Sequence, residues 1–147
     1  GFLSHQEGHH YQFLPVMDDE LFAVLPKGHP LEEYDAIPMK KFSGAPFVTT
    51  EYAPGSDIYR ILKEFQLKPD IRFLSINEFS VLSMVEHGLG ITILPGLLLR
   101  GHSGNFVKRR LEPRSFRRLG LGYSSYDDLS PASRIFLEYA KSFLLDD

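Results

Sequence analysis

The chain has no cysteine in 147 residues. That excludes a disulfide framework, thiolate zinc sites, iron–sulfur ligation and a cysteine nucleophile. An excess of positive charge is also missing: 16 Lys and Arg stand against 19 Asp and Glu, a formal net charge of -3. A protein that coats nucleic acid through its bulk field needs a clear cationic surplus on one face, so any DNA contact has to be local. No apolar run approaches the roughly 18 to 20 residues that span a bilayer. The start GFLSHQEGHH lacks the basic-then-apolar order of a secretory signal. There is no G-x-S-x-G elbow, no G-x-x-x-x-G-K-[ST] phosphate loop and no HExxH helix, so nothing calls for catalysis.

What is present is the composition of an ordinary soluble globular domain, 43% hydrophobic and 24% charged. A chain of this length hides roughly 68% of its unfolded surface and builds a core without staples. The first residue is Gly, with Phe2 and Leu3 immediately after it, which reads as a strand entered midway and predicts a fragment or a processed product.

The pattern along the chain is that of an α/β protein. DELFAVLP (Asp19 to Pro26) reads as a buried strand, followed by turn chemistry at Gly28 and Pro30. PLEEYDAIPMKKFSG reads as a surface connection with at most one helical turn. PFVTT is a strand; Ile58, Ile61, Leu62 and Phe65 then fall on one helical face, with Ser56 or Asp57 as cap. Ile71 to Leu74 is a second strand. Ser75 and Asn77 are N-cap candidates for a helix ending at Gly88, and Ile91 to Leu94 is a third strand. Crossovers of this length imply parallel pairing, half of a doubly wound domain, with both helices expected on one face. Beyond it, NFVKRRL and RRLGLGYSS read as strands. Ser130 and Pro131 open a last helix whose Ile135, Phe136, Tyr139, Ala140 and Phe143 form an apolar face.

In their order, these segments resemble one family. DDELFAVLPKGHPL resembles the strand and "GHPL" turn of the effector-binding domain of LysR-type transcriptional regulators. SINEFSVLSMVEHGLGITILP resembles their helix, G-x-G turn and Pro-terminated strand, and PFVTTEYAPGSDIYRILKEFQLKPDIRFL occupies the place of the second subdomain's first strand and helix. The resemblance covers essentially the whole chain. It implies a fold like the type 2 periplasmic binding proteins: two Rossmann-like α/β subdomains with a ligand cleft between them. Residues 1–43 and 118–147 would then form an incomplete first subdomain, and residues 44–117 the second. It also implies a homodimer or homotetramer in the cytoplasm, with DNA contacted only through a winged helix-turn-helix absent from this chain.

Ligands of open α/β sheets bind beyond the carboxyl ends of the strands, where helix N-termini favour anions. Two such points are legible: Thr49 and Thr50 with the Gly55-Ser56 turn, and Ser75, Ile76, Asn77 and Glu78, with Phe79 adding apolar contact. The plain alternative is that Ser75 and Asn77 only cap a helix, and the two roles are compatible. The resemblance adds Ser4, in the loop where relatives present a small polar residue to the effector. Glu78 would repel a carboxylate unless it points away or the effector carries a cation.

Three features carry less. Gly88-Leu89-Gly90 follows a helix and precedes a strand, the reverse of a dinucleotide fingerprint. His5, His9 and His10 read as solvated loop residues, since no acidic partner sits at ligand spacing. Lys108, Arg109, Arg110, Arg114, Arg117 and Arg118 form a dense basic run on a strand-like segment, which splits the charge between faces and favours a solvated face or subunit contact over a phosphate grip. The reading is therefore an effector-sensing domain that binds a small polar or anionic metabolite, with no cofactor, no metal, no membrane partner and no catalysis. The alternatives are a periplasmic-type solute-binding protein and an enzyme of the same fold.

Overall fold

The computed structural model describes residues 2–4, 11–50 and 52–145. Along the chain lie β1 (Phe2–Ser4), β2 (Gln12–Pro26), β3 (Ala36–Pro38), β4 (Pro46–Thr50), α1 (Asp57–Glu64), β5 (Asp70–Ser75), α2 (Glu78–Glu86), β6 (Thr92–Pro95), α3 (Gly96–Leu99), β7 (Phe106–Tyr123) and α4 (Pro131–Leu145), with 3-10 turns at Pro30–Glu33 and Met39–Phe42. Two compact units result, Gly1–Asp18 with Arg117–Asp147, and Asp19–Phe116. The chain passes between them within β2 and within β7. Residues 19–43, grouped with the first subdomain from sequence, thus fall in the larger unit.

The larger unit is built around β4. Its neighbour β5 runs parallel, with Pro46 opposite Asp70 and Thr50 opposite Ser75. On its other side Ile91 bridges Phe47 in parallel: Val48 N–H donates to the Ile91 carbonyl at 3.0 Å, and Ile91 N–H to the Pro46 carbonyl at 2.9 Å. This close approach explains Gly90, because a Cβ there would lie 3.0 Å from the Pro46 carbonyl oxygen and 3.1 Å from Val48 Cγ1. β6 continues from Ile91 and pairs antiparallel with β2, Leu21 facing Pro95 and Val24 facing Thr92.

With β4 in the middle, the two crossovers run in opposite directions, and right-handedness places α1 and α2 on opposite faces. Packing agrees. Phe47 belongs to a cluster with Ile61, Ile91, Ile93, Ala23 and Leu25, against which Ile58, Leu62 and Phe65 of the α1 region pack. Val48 belongs to another with Val81, Leu82 and Val85 of α2, together with Val24 and Leu94. Adjacent residues of β4, β6 and β2 feed different clusters, as period-two strands require. The expectation of both helices on one face is thus corrected: it treated each crossover separately and ignored the reversal of direction at β5.

The segment after β2 is also more than a surface connection. Ile37 and Phe42 are fully buried and Met39 nearly so, and β3 pairs parallel with β7 through Ile37 opposite Leu111. Its entry is a compact turn. Gly28 takes φ +83 and donates its N–H to Glu32 Oε2 at 2.7 Å, while His29 Nδ1 accepts from Leu31 N–H at 3.1 Å. Burial lowers the His29 pKa, in keeping with an Nδ1 that accepts a hydrogen bond.

The basic run lies on β7, one continuous strand of 18 residues where two had been expected. Within the larger unit Arg114 donates to both Glu20 carboxylate oxygens (2.6 and 3.3 Å) and Arg110 lies 3.7 Å from the same side chain. Lys108 covers the Phe22 ring at 4.7 Å. In the smaller unit Arg118 lies 3.5 Å from Asp18. Acidic residues of β2 therefore hold much of the charge, which supports a solvated face.

In the smaller unit β1 pairs antiparallel with β7, Leu3 opposite Gly120. Gly120 is obligatory by contact, since a Cβ would overlap the Leu14 carbonyl oxygen. Ser130 caps α4 by accepting from Ser133 N–H at 3.2 Å. Among the described residues of α4 Leu137 is buried, whereas Ile135, Phe136, Tyr139 and Phe143 are 60–71% exposed. The apolar stripe expected on this helix exists, but within its unit it lies on the outside.

Candidate functional site

At the carboxyl ends of the parallel pair, β4 ends on Thr50 and β5 on Ser75, and the two residues face each other in register. Each strand leads through a short loop into a helix. Ser56 Oγ accepts from Tyr59 N–H at 3.2 Å at the start of α1, and Asn77 Oδ1 accepts from Ser80 N–H at 2.9 Å at the start of α2. Ser75 Oγ accepts from Asn77 N–H at 3.4 Å, so it shapes the turn while Asn77 caps the helix. The start of an α-helix leaves first-turn N–H groups without intrahelical partners, and the aligned peptide dipoles make that end electropositive. Two adjacent helix starts at one sheet edge form a polar, weakly positive rim suited to a small oxygen-rich ligand.

Exposure separates the expected residues. Thr49 is only 2% exposed and lies on the α1 face of β4 with Phe47, so of the two threonines the half-buried Thr50 is the reachable one. Ser75 is half-buried, Asn77 and Glu78 are exposed, Phe79 is 57% exposed and Ile76 stands 97% exposed. Glu78 occupies the first turn of α2 and Asp57 that of α1, where a carboxylate is favoured by the helix dipole. The strands and loops thus bring Thr49, Thr50, Ser75, Asn77, Glu78 and Phe79 to one edge of the larger unit. Ser4 ends β1 opposite Leu119 and belongs to the smaller unit.

One neighbour was not legible beforehand. The ring of His102 lies 5.1 Å from that of Phe79, tilted by 38°. The pair is separated by more than twenty residues, and GHSGN carries no spacing that announces it. His5, His9 and His10 lie outside the described residues. Among the described residues no group of three or more His, Cys, Asp or Glu could hold a metal ion, and no helix is long and apolar enough to cross a membrane.

Residues 2–144 match the LysR substrate binding domain. The chain belongs to that family. It is 28% identical over 135 residues to YvbU of Bacillus subtilis strain 168, an uncharacterized HTH-type transcriptional regulator, covering 88% of this chain and 45% of that protein. The chain thus spans about half the length of the curated relatives it matches. Among solved structures, the effector binding domain of QuiR in complex with shikimate superposes with a TM-score of 0.84 at 24% identity, over 99% of this chain and 71% of that one. The Synechocystis PCC6803 CcmR regulatory domain in complex with 2-PG gives 0.82 at 17% identity, over 97% and 72%. At such identities the likeness establishes the fold, and it bears out the expected type 2 periplasmic-binding-protein-like α/β architecture. In the larger unit the two strand ends and the two capped helix starts lie together at one sheet edge.

Proposed function

We propose that this LysR substrate binding domain is the effector-sensing portion of a cytoplasmic transcriptional regulator, and that it binds a small polar or anionic metabolite without transforming it. The observation that carries the reading is the register of Thr50 opposite Ser75, each leading into a capped helix start. Thr50 and Ser75 supply hydroxyls, Asn77 an amide, and the starts of α1 and α2 an electropositive edge. Phe79 and Ile76, both exposed beside these groups, offer apolar contact. Glu78 then selects for effectors that present a hydroxyl or ammonium donor beside their anionic group, because a bare carboxylate is repelled there. The relatives' description as HTH-type regulators favours this reading over a solute-binding protein. DNA contact is assigned to a helix-turn-helix outside these residues, acting in a homodimer or homotetramer.

Control of transcription requires that the effector bind one arrangement of the protein better than another, since equal affinity shifts no equilibrium. The test is a thermal-shift screen with shikimate, 2-PG and a panel of hydroxy-carboxylates and amino acids, followed by a turnover assay on each hit. A ligand present at a hundred times its Kd adds about 2.7 kcal/mol of stability. Thr50→Val and Ser75→Ala are expected to weaken the hit at least tenfold. Turnover of the hit, or unchanged affinity in both variants, would overturn the proposal.

A further inference from the structure

We propose that Arg60 is a positioning residue that couples the start of α1 to the point where β7 leaves the larger unit. Its relevance to sensing rests on the reading of the α1 loop as part of the effector site, but the coupling itself is a property of the contacts and is testable without a ligand.

Arg60 sits one turn into α1, and its Nη2 donates to the Phe116 carbonyl at 2.8 Å. The same guanidinium lies 3.9 Å from Asp57, the first residue of the helix, and its Nη1 lies 3.6 Å from Glu64 at the far end. One planar fork of donors therefore spans acids on both sides along the helix and a strand carbonyl beyond it. Phe116 is the last residue of the larger unit, and Arg117 is the first of the other unit's returning segment. Only two places connect the units along the chain, Asp18–Asp19 and Phe116–Arg117, and Arg60 holds the second.

The sequence of contacts is short. The loop after Thr50 ends at Ser56, whose hydroxyl fixes the first turn of α1 through Tyr59 N–H. That turn contains Asp57, which faces Arg60, and Arg60 fixes the Phe116 carbonyl. A displacement of α1 has either to carry the β7 carbonyl with it or to break this bond. A bond that is either made or broken is one physical link through which two places can be coupled. A net hydrogen bond of this kind moves an equilibrium by about two- to tenfold.

Amide hydrogen exchange tests this on the chain itself. Ser56→Ala removes the cap and loosens the first turn of α1. With exchange in β6 as internal reference, Ser56→Ala is expected to raise exchange over residues 114–119 by about two- to tenfold. In an Arg60→Met background the same Ser56→Ala change is expected to add nothing there, and Arg60→Lys, which keeps one donor, to restore part of the response. Asp57→Asn provides a second way to perturb the turn. A purely structural Arg60 would give additive effects: the same Ser56→Ala increase in both backgrounds overturns the proposal. So does faster exchange at residues 57–60 with no change at 114–119 in the otherwise unaltered chain. A failed ligand screen leaves this measurement untouched, so the two proposals fail separately.

Discussion

Thr92 opens β6 opposite Val24 and is fully buried. Among the described residues its hydroxyl has no hydrogen-bond partner. Two residues along the same strand, Leu94 packs with Val24, Val48, Val81 and Val85, so period-two alternation puts the Thr92 side chain on that apolar face. A buried hydroxyl without a partner costs about 1–3 kcal/mol, because its lost hydration is not replaced. Thr92→Val keeps the branched shape, removes that penalty and adds a methyl in an apolar setting. The expected gain is about 2 kcal/mol, with Tm raised by roughly 4–8 °C for a chain of this size. Urea unfolding followed by far-UV circular dichroism should show the midpoint rising by about 1 M with the slope unchanged. Thr92→Ser serves as the control: it keeps the hydroxyl but deletes a buried methyl, and should lose about 1 kcal/mol. If Thr92→Val is no more stable than the parent, the hydroxyl is bonded and the reasoning is wrong.

Three further outcomes follow from single contacts. His29 is half-buried and its pKa is lowered, so between the lowered folded value and the unfolded value of about 6.5 the unfolded chain binds more protons than the folded one. Its contribution is complete above the unfolded value and is lost as pH falls through the lowered folded value; His29→Asn, which keeps a cap acceptor, should flatten the fall in stability below about pH 6.5, and equal slopes in denaturation at each pH would refute this. Gly120→Ala should damage the smaller unit more than Gly90→Ala damages the larger. At Gly120 the new carbon meets the Leu14 backbone oxygen and lies 2.6 Å from Phe13 Cζ, whereas at Gly90 its nearest neighbours are at 3.0 Å or more; Gly90→Ala is expected to cost about 1–3 kcal/mol. Phe47→Ala removes a fully buried ring set edge-on to Phe42 at 6.2 Å and should cost about 3–5 kcal/mol in thermal unfolding.

Local chemistry was legible wherever one residue decides the backbone. Ser56, Asn77 and Ser130 cap helices as their spacing predicts, and Gly88 takes φ +77 after α2. What was not legible depends on partners distant in sequence. Nothing local in AIP announces a strand, because β3 is specified by Leu111 across from Ile37. The first half of β2, with Pro15 and two aspartates, has no strand pattern of its own. NFVKRRL and RRLGLGYSS read as separate strands, yet β7 runs through both, with Pro113 exposed between them.

The same division runs through the candidate site. Type of residue and position after a strand were enough to place Thr50 and Ser75 at strand ends and Asn77 at a helix cap, since these are local features. Burial was not: it takes the fold to show that Thr49 is buried while Thr50, one residue on, is reachable. Contacts that close between elements, His102 against Phe79 and Arg60 against the Phe116 carbonyl, leave no periodic trace. A sequence pattern therefore locates polar groups at strand ends and helix starts, whereas contacts between elements become visible only once distant segments are placed side by side.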